Sequence, residues 1–228
     1  VFVHDRQSGT TVRVSIDSAG LQATGPSTFA SISGDGRMVA FLSTATNLVA
    51  GDTNGTQDVF VHDQQTGTTI RASTSTAGVQ GNGISASPFL SANGRFVAFQ
   101  SSATNLVAGD TNGFTDVFVR DLLTGVVSGV SVDASGNQSN ENSTEASLSD
   151  DGRLVAFLSL ANNFGVPDSN GFQDVYVHDR FSATTFLASV SSGSAQGNGN
   201  SDSARISNDG RYVAFRSSAT NLVPNDTN

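Results

Sequence analysis

The sequence predicts an all-β protein built from repeats, and three observations lead to this fold class. A unit of 58 residues recurs along the 228-residue chain without insertion or deletion, so VFVHD at 1–5 returns at 59–63, as VFVRD at 117–121 and as VYVHD at 175–179. Apolar residues within each unit alternate with a period of two, which is typical of strands. Asp-Gly or Asn-Gly pairs separate short apolar runs and predict tight hairpins.

We therefore predict one domain, 1–228, made of four tandem units. Their boundaries are 1–58, 59–116, 117–174 and 175–228.

Each unit is predicted to contain four strands, A to D. Strand A lies near Ser31 and strand B at 39–42, with a Gly-Asp-Gly turn between them. Strand C lies at 59–62 and strand D at 69–73, joined by a Thr-Gly turn. Strand C has apolar residues on both faces, so we expect it to be buried on both. Stacked four-stranded sheets of this kind form the blades of a β-propeller.

The stretch 31–41 and its copies, followed by VFVHD and the Thr-Gly turn, resemble the WD40-like repeat of TolB-type propellers. Asp5, Asp63, Asp121 and Asp179 occupy the position of the aspartate in the strand-C signature of that family. The resemblance covers essentially the whole chain. It implies a β-propeller and, as the default role in that class, protein–protein interaction, although propellers host many unrelated activities.

The order of the strands predicts how the propeller closes. The chain begins at a strand C and ends after a strand B, so we expect a ring closed by pairing the N-terminal strands (1–16) with the C-terminal strands (202–217). Such pairing removes exposed strand edges. Three alternatives stay open: a four-bladed monomer, a homodimer forming an eight-bladed ring, and a fragment of a longer array.

The charge balance excludes several classes of function. With 20 acidic and 11 basic residues the net charge is −9, which is not the electrostatic pattern of a nucleic-acid-binding protein. No apolar run reaches about 18 residues, so we expect no membrane insertion. The absence of cysteine excludes disulfides and thiolate zinc sites. Only 14% of the residues are charged, and the resulting neutral polar surface favours an extracytoplasmic location: secreted, cell-surface or periplasmic.

The longest loops connect strand B to C and strand D to A, and both are expected on one face. The D–A loops differ most between units, whereas the B–C loops are nearly constant. Rigid scaffolds usually carry function on such loops. Because no catalytic motif is found, we predict a non-enzymatic protein-binding or structural scaffold that acts through this long-loop face. The alternatives are a multivalent carbohydrate-binding propeller and a propeller domain detached from a larger enzyme.

The B–C loop has oxygen-bearing side chains at spacings that calcium sites use. The position of the first ligand in integrin-type calcium loops holds Ala50, Ala108, Val166 or Pro224, none of which coordinates through its side chain. A second interpretation is that the Asp and Asn side chains hydrogen-bond the turn backbone. Calcium is the one cofactor predicted, and its candidate ligands are Asp52, Asn54, Asp58, Asp110, Asn112, Asp116, Asp168, Asn170 and Asp174.

Two other repeated positions receive structural interpretations. The histidine of strand C (His4, His62 and His178) is expected to lie at the blade edge and to hydrogen-bond the adjacent turn. The arginine after the A–B turn is expected to pair with the aspartate of the VFVHD motif. Its copies are Arg37, Arg95, Arg153 and Arg211.

Overall fold

A computed structural model of the chain describes residues 1–165 and 168–226. These residues form sixteen strands and no helix, and hence no helix that is long and apolar enough to cross a membrane. Val166, which takes the place of Ala50 in the third unit, lies outside the described residues.

The strands form three complete four-stranded antiparallel sheets and a two-stranded half-sheet at each end of the chain. The N-terminal half-sheet contains β1 (Phe2–His4) and β2 (Thr11–Arg13), and the C-terminal half-sheet contains β15 (Ser201–Ile206) and β16 (Val213–Ser217). The first complete sheet contains β3 (Ser27–Ile32), β4 (Met38–Ser43), β5 (Asp58–Asp63) and β6 (Thr68–Arg71). The second contains β7 (Ser85–Leu90), β8 (Phe96–Ser101), β9 (Asp116–Asp121) and β10 (Val127–Gly129). The third contains β11 (Ser143–Leu148), β12 (Leu154–Ser159), β13 (Asp174–Asp179) and β14 (Thr184–Leu187).

The predicted strand order within a blade is confirmed. Every complete sheet runs A-B-C-D in chain order, and the A–B hairpin turns through a glycine in the left-handed region, such as Gly36 with φ 77°. Strand A begins at Ser27, earlier than expected, and strand D ends at Arg71. The structure therefore contains three complete blades and two half-blades.

The expected ring closure is not formed. β1 pairs only with β2 and β15 only with β16, so the two half-sheets remain separate. Successive sheets pack in chain order: β7 packs on β3, β11 on β7 and β15 on β11. The N-terminal half-sheet supplies only strands C and D and the C-terminal half-sheet only strands A and B, and among the described residues no strand pairing joins the two.

The core lies between successive sheets, because strands B and C are apolar on both faces. Val59 and Val61 of β5 pack with Val97 and Phe99 of the next sheet. Phe60, between those two valines, points the other way and stacks on Phe41 with ring centroids 6.0 Å apart. All six side chains are at most 1% exposed, which confirms the prediction that strand C is buried on both faces.

Candidate functional site

The long loops are hydrogen-bonded to one another across the stack. In every copy, an asparagine of the B–C loop donates from Nδ2 to a backbone carbonyl of the D–A loop and accepts a backbone N–H from it. Asn105, for example, donates to Gln80 O over 2.9 Å and accepts from Asn82 N over 3.0 Å. Asn54 of the preceding loop donates to Gly81 O over 3.0 Å. Each of the three D–A loops that follow a complete sheet is therefore hydrogen-bonded to two B–C loops.

The predicted calcium ligands of the first sheet form an ion-pair network. Arg71 Nη1 lies 3.2 Å from Asp52 Oδ1 and 3.3 Å from Asp58 Oδ2. Asn54 donates to Asp58 Oδ2, and Ser73 donates to Asp58 Oδ1 over 2.6 Å. Burial raises the pKa of Asp52 despite the opposing effect of the guanidinium. The structure thus brings the two carboxylates together and supplies both with protein donors.

The copies in the second sheet carry no such arginine. Asn112 donates to Asp116 Oδ2 over 2.8 Å, and Ser131 donates to Asp116 Oδ1 over 2.6 Å. Asp110 Oδ1 accepts from Gln138 Nε2 over 3.0 Å. Burial raises the pKa of Asp110.

In the third sheet, the hydroxyl of Tyr176 donates to Asp168 Oδ2 over 2.5 Å. Gln196 Nε2 donates to Asp168 Oδ1 and to Asp174 Oδ2, and burial raises the pKa of Asp174. Asn170 donates to the carbonyl of Gly197 over 2.6 Å. Across the described residues, no group of three or more His, Cys, Asp or Glu side chains is placed to hold a metal ion. Calcium binding by these loops stays a prediction.

The strand-C histidines form structural hydrogen bonds, but their partner lies in strand D and not in the adjacent turn as expected. The arginine interpretation is confirmed for three of the four copies, and Arg211 forms no ion pair among the described residues. His62 and His178 bond the threonine opposite them in strand D at 2.9 and 2.8 Å. Thr69 Oγ1 itself donates to Ile16 O, so Nδ1 of His62 is the donor to Thr69. On the short-turn face, three arginines form two-pronged ion pairs with the aspartate of the motif, at 2.6 to 3.1 Å. These pairs are Arg37–Asp63, Arg95–Asp121 and Arg153–Asp179.

A concave inner groove is the feature that sequence reasoning missed. It encloses about 430 Å³ and is lined by the innermost strands β3, β7, β11 and β15. Each of these strands has a β-bulge at the same repeat position. The bulge residue is left-handed although it is not glycine, with φ between 50 and 54°. The four bulge residues are Phe29, Ser87, Glu145 and Ser203.

The bulges present three kinds of chemical group: a phenyl ring at Phe29, a carboxylate at Glu145 and hydroxyls at Ser87 and Ser203. Bulges redirect side chains, and non-glycine residues at positive φ cost conformational energy and concentrate at functional sites. Phe29 is 74% exposed, and Arg205 places its guanidinium 5.7 Å from the ring centroid of Phe89. Glu145 adds a carboxylate to the groove. The groove therefore offers aromatic surface, a cation and an anion, a combination suited to binding an irregular partner surface.

A signal for this groove was present in the sequence. Positions 29, 87, 145 and 203 hold Phe, Ser, Glu and Ser, and positions 31, 89, 147 and 205 hold Ser, Phe, Ser and Arg. These are the chemically divergent positions of an otherwise similar strand A. We compared variation in the loops only and therefore did not identify these strand positions.

Comparisons with known proteins give the fold and nothing closer. A scan of protein-family models finds no match, and neither does a comparison with curated proteins. TolB from Acinetobacter baumannii is similar in structure, with a TM-score of 0.54 and 19% identity, over 94% of this chain and 42% of that one. An oligogalacturonate lyase from Vibrio parahaemolyticus has a TM-score of 0.51 and 13% identity, over 98% of this chain and 54% of that one.

The chain thus spans about half the length of these solved structures. At such low identity the likeness concerns the arrangement of strands only. The stack of antiparallel blades, the repeated strand-C motif and these structural matches together show that the chain has a TolB-like β-propeller fold.

Proposed function

We propose that this chain is a non-catalytic protein-binding scaffold whose contact surface is the inner groove together with the adjoining long-loop face. The observation that carries the proposal is that equivalent bulges of three neighbouring strands bring unlike side chains, Phe29, Ser87 and Glu145, to one groove. Non-glycine residues at positive φ concentrate at functional sites, which favours a contact role for this position.

The hydrogen bonds between the long loops support the same proposal. Association requires loops to become ordered, and a preorganised surface avoids much of that cost. The asparagine interlock between B–C and D–A loops provides this order in advance. The groove adds the features typical of protein contact surfaces: exposed aromatic area at Phe29 and an arginine at Arg205.

The test compares two exposed phenylalanines on different surfaces. Phe29→Ser removes the aromatic side chain from the groove, and serine is already tolerated at this φ because Ser87 and Ser203 occupy the equivalent bulges. Phe181→Ser removes a phenylalanine that is 86% exposed at a C–D turn on the short-turn face. Each chain is cross-linked to secreted and envelope proteins of the source organism, and captured proteins are identified by mass spectrometry.

We expect a partner that the wild type and Phe181→Ser capture and that Phe29→Ser loses by at least tenfold. Arg205→Ser should weaken capture of the same partner. Capture that is indifferent to both groove substitutions would refute this surface. Thermal melts of all variants check that folding is intact.

Carbohydrate binding is the second candidate, because an exposed aromatic ring beside polar groups is a usual platform for a sugar. Phe29, with Glu145 and Ser87 across the groove, provides this arrangement. A glycan array separates the two proposals: glycan binding that Phe29→Ser abolishes would support the second candidate.

Three further proposals concern the setting of the molecule. The neutral polar surface favours an extracytoplasmic location, which fractionation of the source cells tests. The eight-bladed homodimer is tested by light scattering, where the 23.4 kDa chain would give twice its own mass. A catalytic domain elsewhere in the same gene product is tested by reading the sequence on either side.

A further inference from the structure

One position of strand D holds a different residue in each complete sheet, and that residue determines which groups contact the aspartates of the B–C loop. In the first sheet the residue is Arg71. Its Nη1 contacts Asp52, Asp58 and Gln80 Oε1, the last at 2.8 Å, and its Nη2 contacts Gly51 O at 3.3 Å. The guanidinium side chain is 6% exposed. This sheet therefore contains a guanidinium site in which acceptors of the chain itself bind both Nη atoms of Arg71.

The third sheet fills the same place with other groups. Leu187 stands where Arg71 stands in the first sheet. The hydroxyl of Tyr176, a residue that is phenylalanine in the other sheets, donates to Asp168. Phe164 packs on that ring with centroids 4.8 Å apart.

In the second sheet no side chain fills the position that Arg71 takes in the first. Gly129 replaces Arg71, and Phe118 has no hydroxyl. A cavity of about 260 Å³ results, large enough for several water molecules or a guanidinium group. Its lining includes Gly109, Asp116 and Gln138, the counterparts of three of the four residues that contact the Arg71 guanidinium. The second sheet therefore retains three of the hydrogen-bond acceptors that bind the guanidinium in the first sheet, but it has no arginine to donate to them.

The carboxylates beside this cavity have only neutral partners. Asp116 accepts from Asn112, Ser131 and Ser139, and Asp110 accepts from Gln138. Among residues 1–165 and 168–226, no Lys, Arg or His forms an ion pair with either aspartate. Asp110 is 8% and Asp116 is 4% exposed, and buried carboxylates require a cation or several donors.

The cavity is reachable from the long-loop face. Ala108, Gly109 and Gly136 lie along its lining and are exposed. It shares no lining residue with the inner groove, so it is a separate site.

We propose that the second-sheet cavity binds the guanidinium group of an arginine from outside the chain, held by Asp116, Gln138 and the carbonyl of Gly109 as Arg71 is held in the first sheet. A guanidinium fits because it is planar and donates several hydrogen bonds in fixed directions. The arginine is either free or part of a polypeptide, and this proposal does not depend on the inner groove.

The test titrates isotope-labelled chain with Nα-acetylarginine amide and follows backbone amide resonances by NMR. We expect saturable shifts at Gly109 and Gly129 with a stoichiometry of one. A peptide with a central arginine is titrated in parallel. Tighter binding of the peptide by tenfold or more assigns the site to a polypeptide arginine, and equal binding assigns it to the free compound.

Gly129→Arg is the decisive variant. A Cβ at Gly129 meets only Phe118 Cε1, at 4.0 Å, and the backbone there lies outside the left-handed region. The new side chain should fill the cavity, weaken binding of the amide at least tenfold and raise the melting temperature. Conversely, Arg71→Gly should open the equivalent place in the first sheet and raise the stoichiometry to two.

Three results would overturn the proposal. One is the absence of shifts at Gly109 and Gly129, and another is binding that Gly129→Arg leaves intact. The third is an equal or stronger response to Nα-acetyllysine amide or to calcium chloride alone, which would make the cavity a general cation or metal site.

Discussion

The N-terminal half-sheet and the complete sheets carry the same strand-C motif, yet they differ in how deeply its side chains are buried. Phe2 is 61% exposed, whereas its copy Phe60 is fully buried. Arg13 is exposed, whereas its copy Arg71 is enclosed by two aspartates. The difference shows that the motif sequence alone does not bury these side chains. They are buried only where another sheet covers each face of the blade. Paired substitutions in the half-sheet and in a complete sheet therefore measure what the stacking of sheets contributes to stability.

The largest expected effect is the loss of a buried ring. Phe60→Ala should lower the free energy of unfolding by about 3–5 kcal/mol, because it leaves a cavity beside Phe41. Phe2→Ala should change it by no more than about 0.5 kcal/mol, the usual range for exposed positions. Urea unfolding measures both variants. Equal effects would mean that Phe2 is covered in solution.

The next effect concerns the charge of the strand-D arginine. Arg71→Met removes the cation from between Asp52 and Asp58, and we expect a loss of about 3 kcal/mol, since a buried carboxylate without its partner is costly. Arg13→Met is the matched control and should be nearly neutral. A small effect of Arg71→Met would show that water or neutral donors replace the guanidinium.

A third comparison uses the strand-C histidine. Burial lowers the pKa of His178 to about 4, below its ordinary value of 6.5. The folded state thus favours the neutral ring, so this contribution to stability is present above pH 6.5 and is lost as the pH falls toward 4. We expect His178→Gln to flatten the pH dependence of unfolding in that window. His4→Gln, at the exposed copy, serves as the control, and NMR titration of the ring protons checks the assignment.

The smallest expected effect lies at the short turns. The hydrogen bonds from Arg95 hold the pKa of Asp121 at about 2, below the ordinary 3.8. A depressed carboxyl pKa contributes stability above pH 3.8 that is lost as the pH falls toward 2. Asp121→Asn should make acid unfolding shallower there, by a modest amount because solvent screens the pair. Asp5 has a lowered pKa through Ser8 but is fully exposed, so we expect Asp5→Asn to do less.

Much of a blade could be predicted from one unit of sequence. The hairpin glycines and the apolar faces of Val59 and Val61 follow from residues within a single repeat, and the pairing of Arg37 with Asp63 follows from the repeat and the motif that begins the next one. The calcium interpretation illustrates the limit of this approach. Spacing alone placed oxygen atoms near one another, but it did not reveal that Arg71, Gln138 or Tyr176 from other strands supplies donors to them.

The inner groove and the open ring could not be predicted from the sequence, for a related reason. Whether β1 meets β16 depends on how the sheets stack along the whole chain. Whether Phe29, Phe89 and Arg205 share a groove depends on four bulges being placed side by side. These are contacts between units, and no pattern within a unit encodes their geometry.

By itself the sequence determined the repeat, the four strands of each unit and the turn chemistry, because these depend on residues close together in the chain. Only the tertiary structure decided which copies are buried, where the ends lie and what surrounds each loop carboxylate. Identical motifs acquire different environments once they are stacked, since burial and electrostatics depend on the neighbouring sheet. Position 129 shows this: glycine stands where the first sheet has Arg71, and a cavity of about 260 Å³ lies beside it in the second sheet.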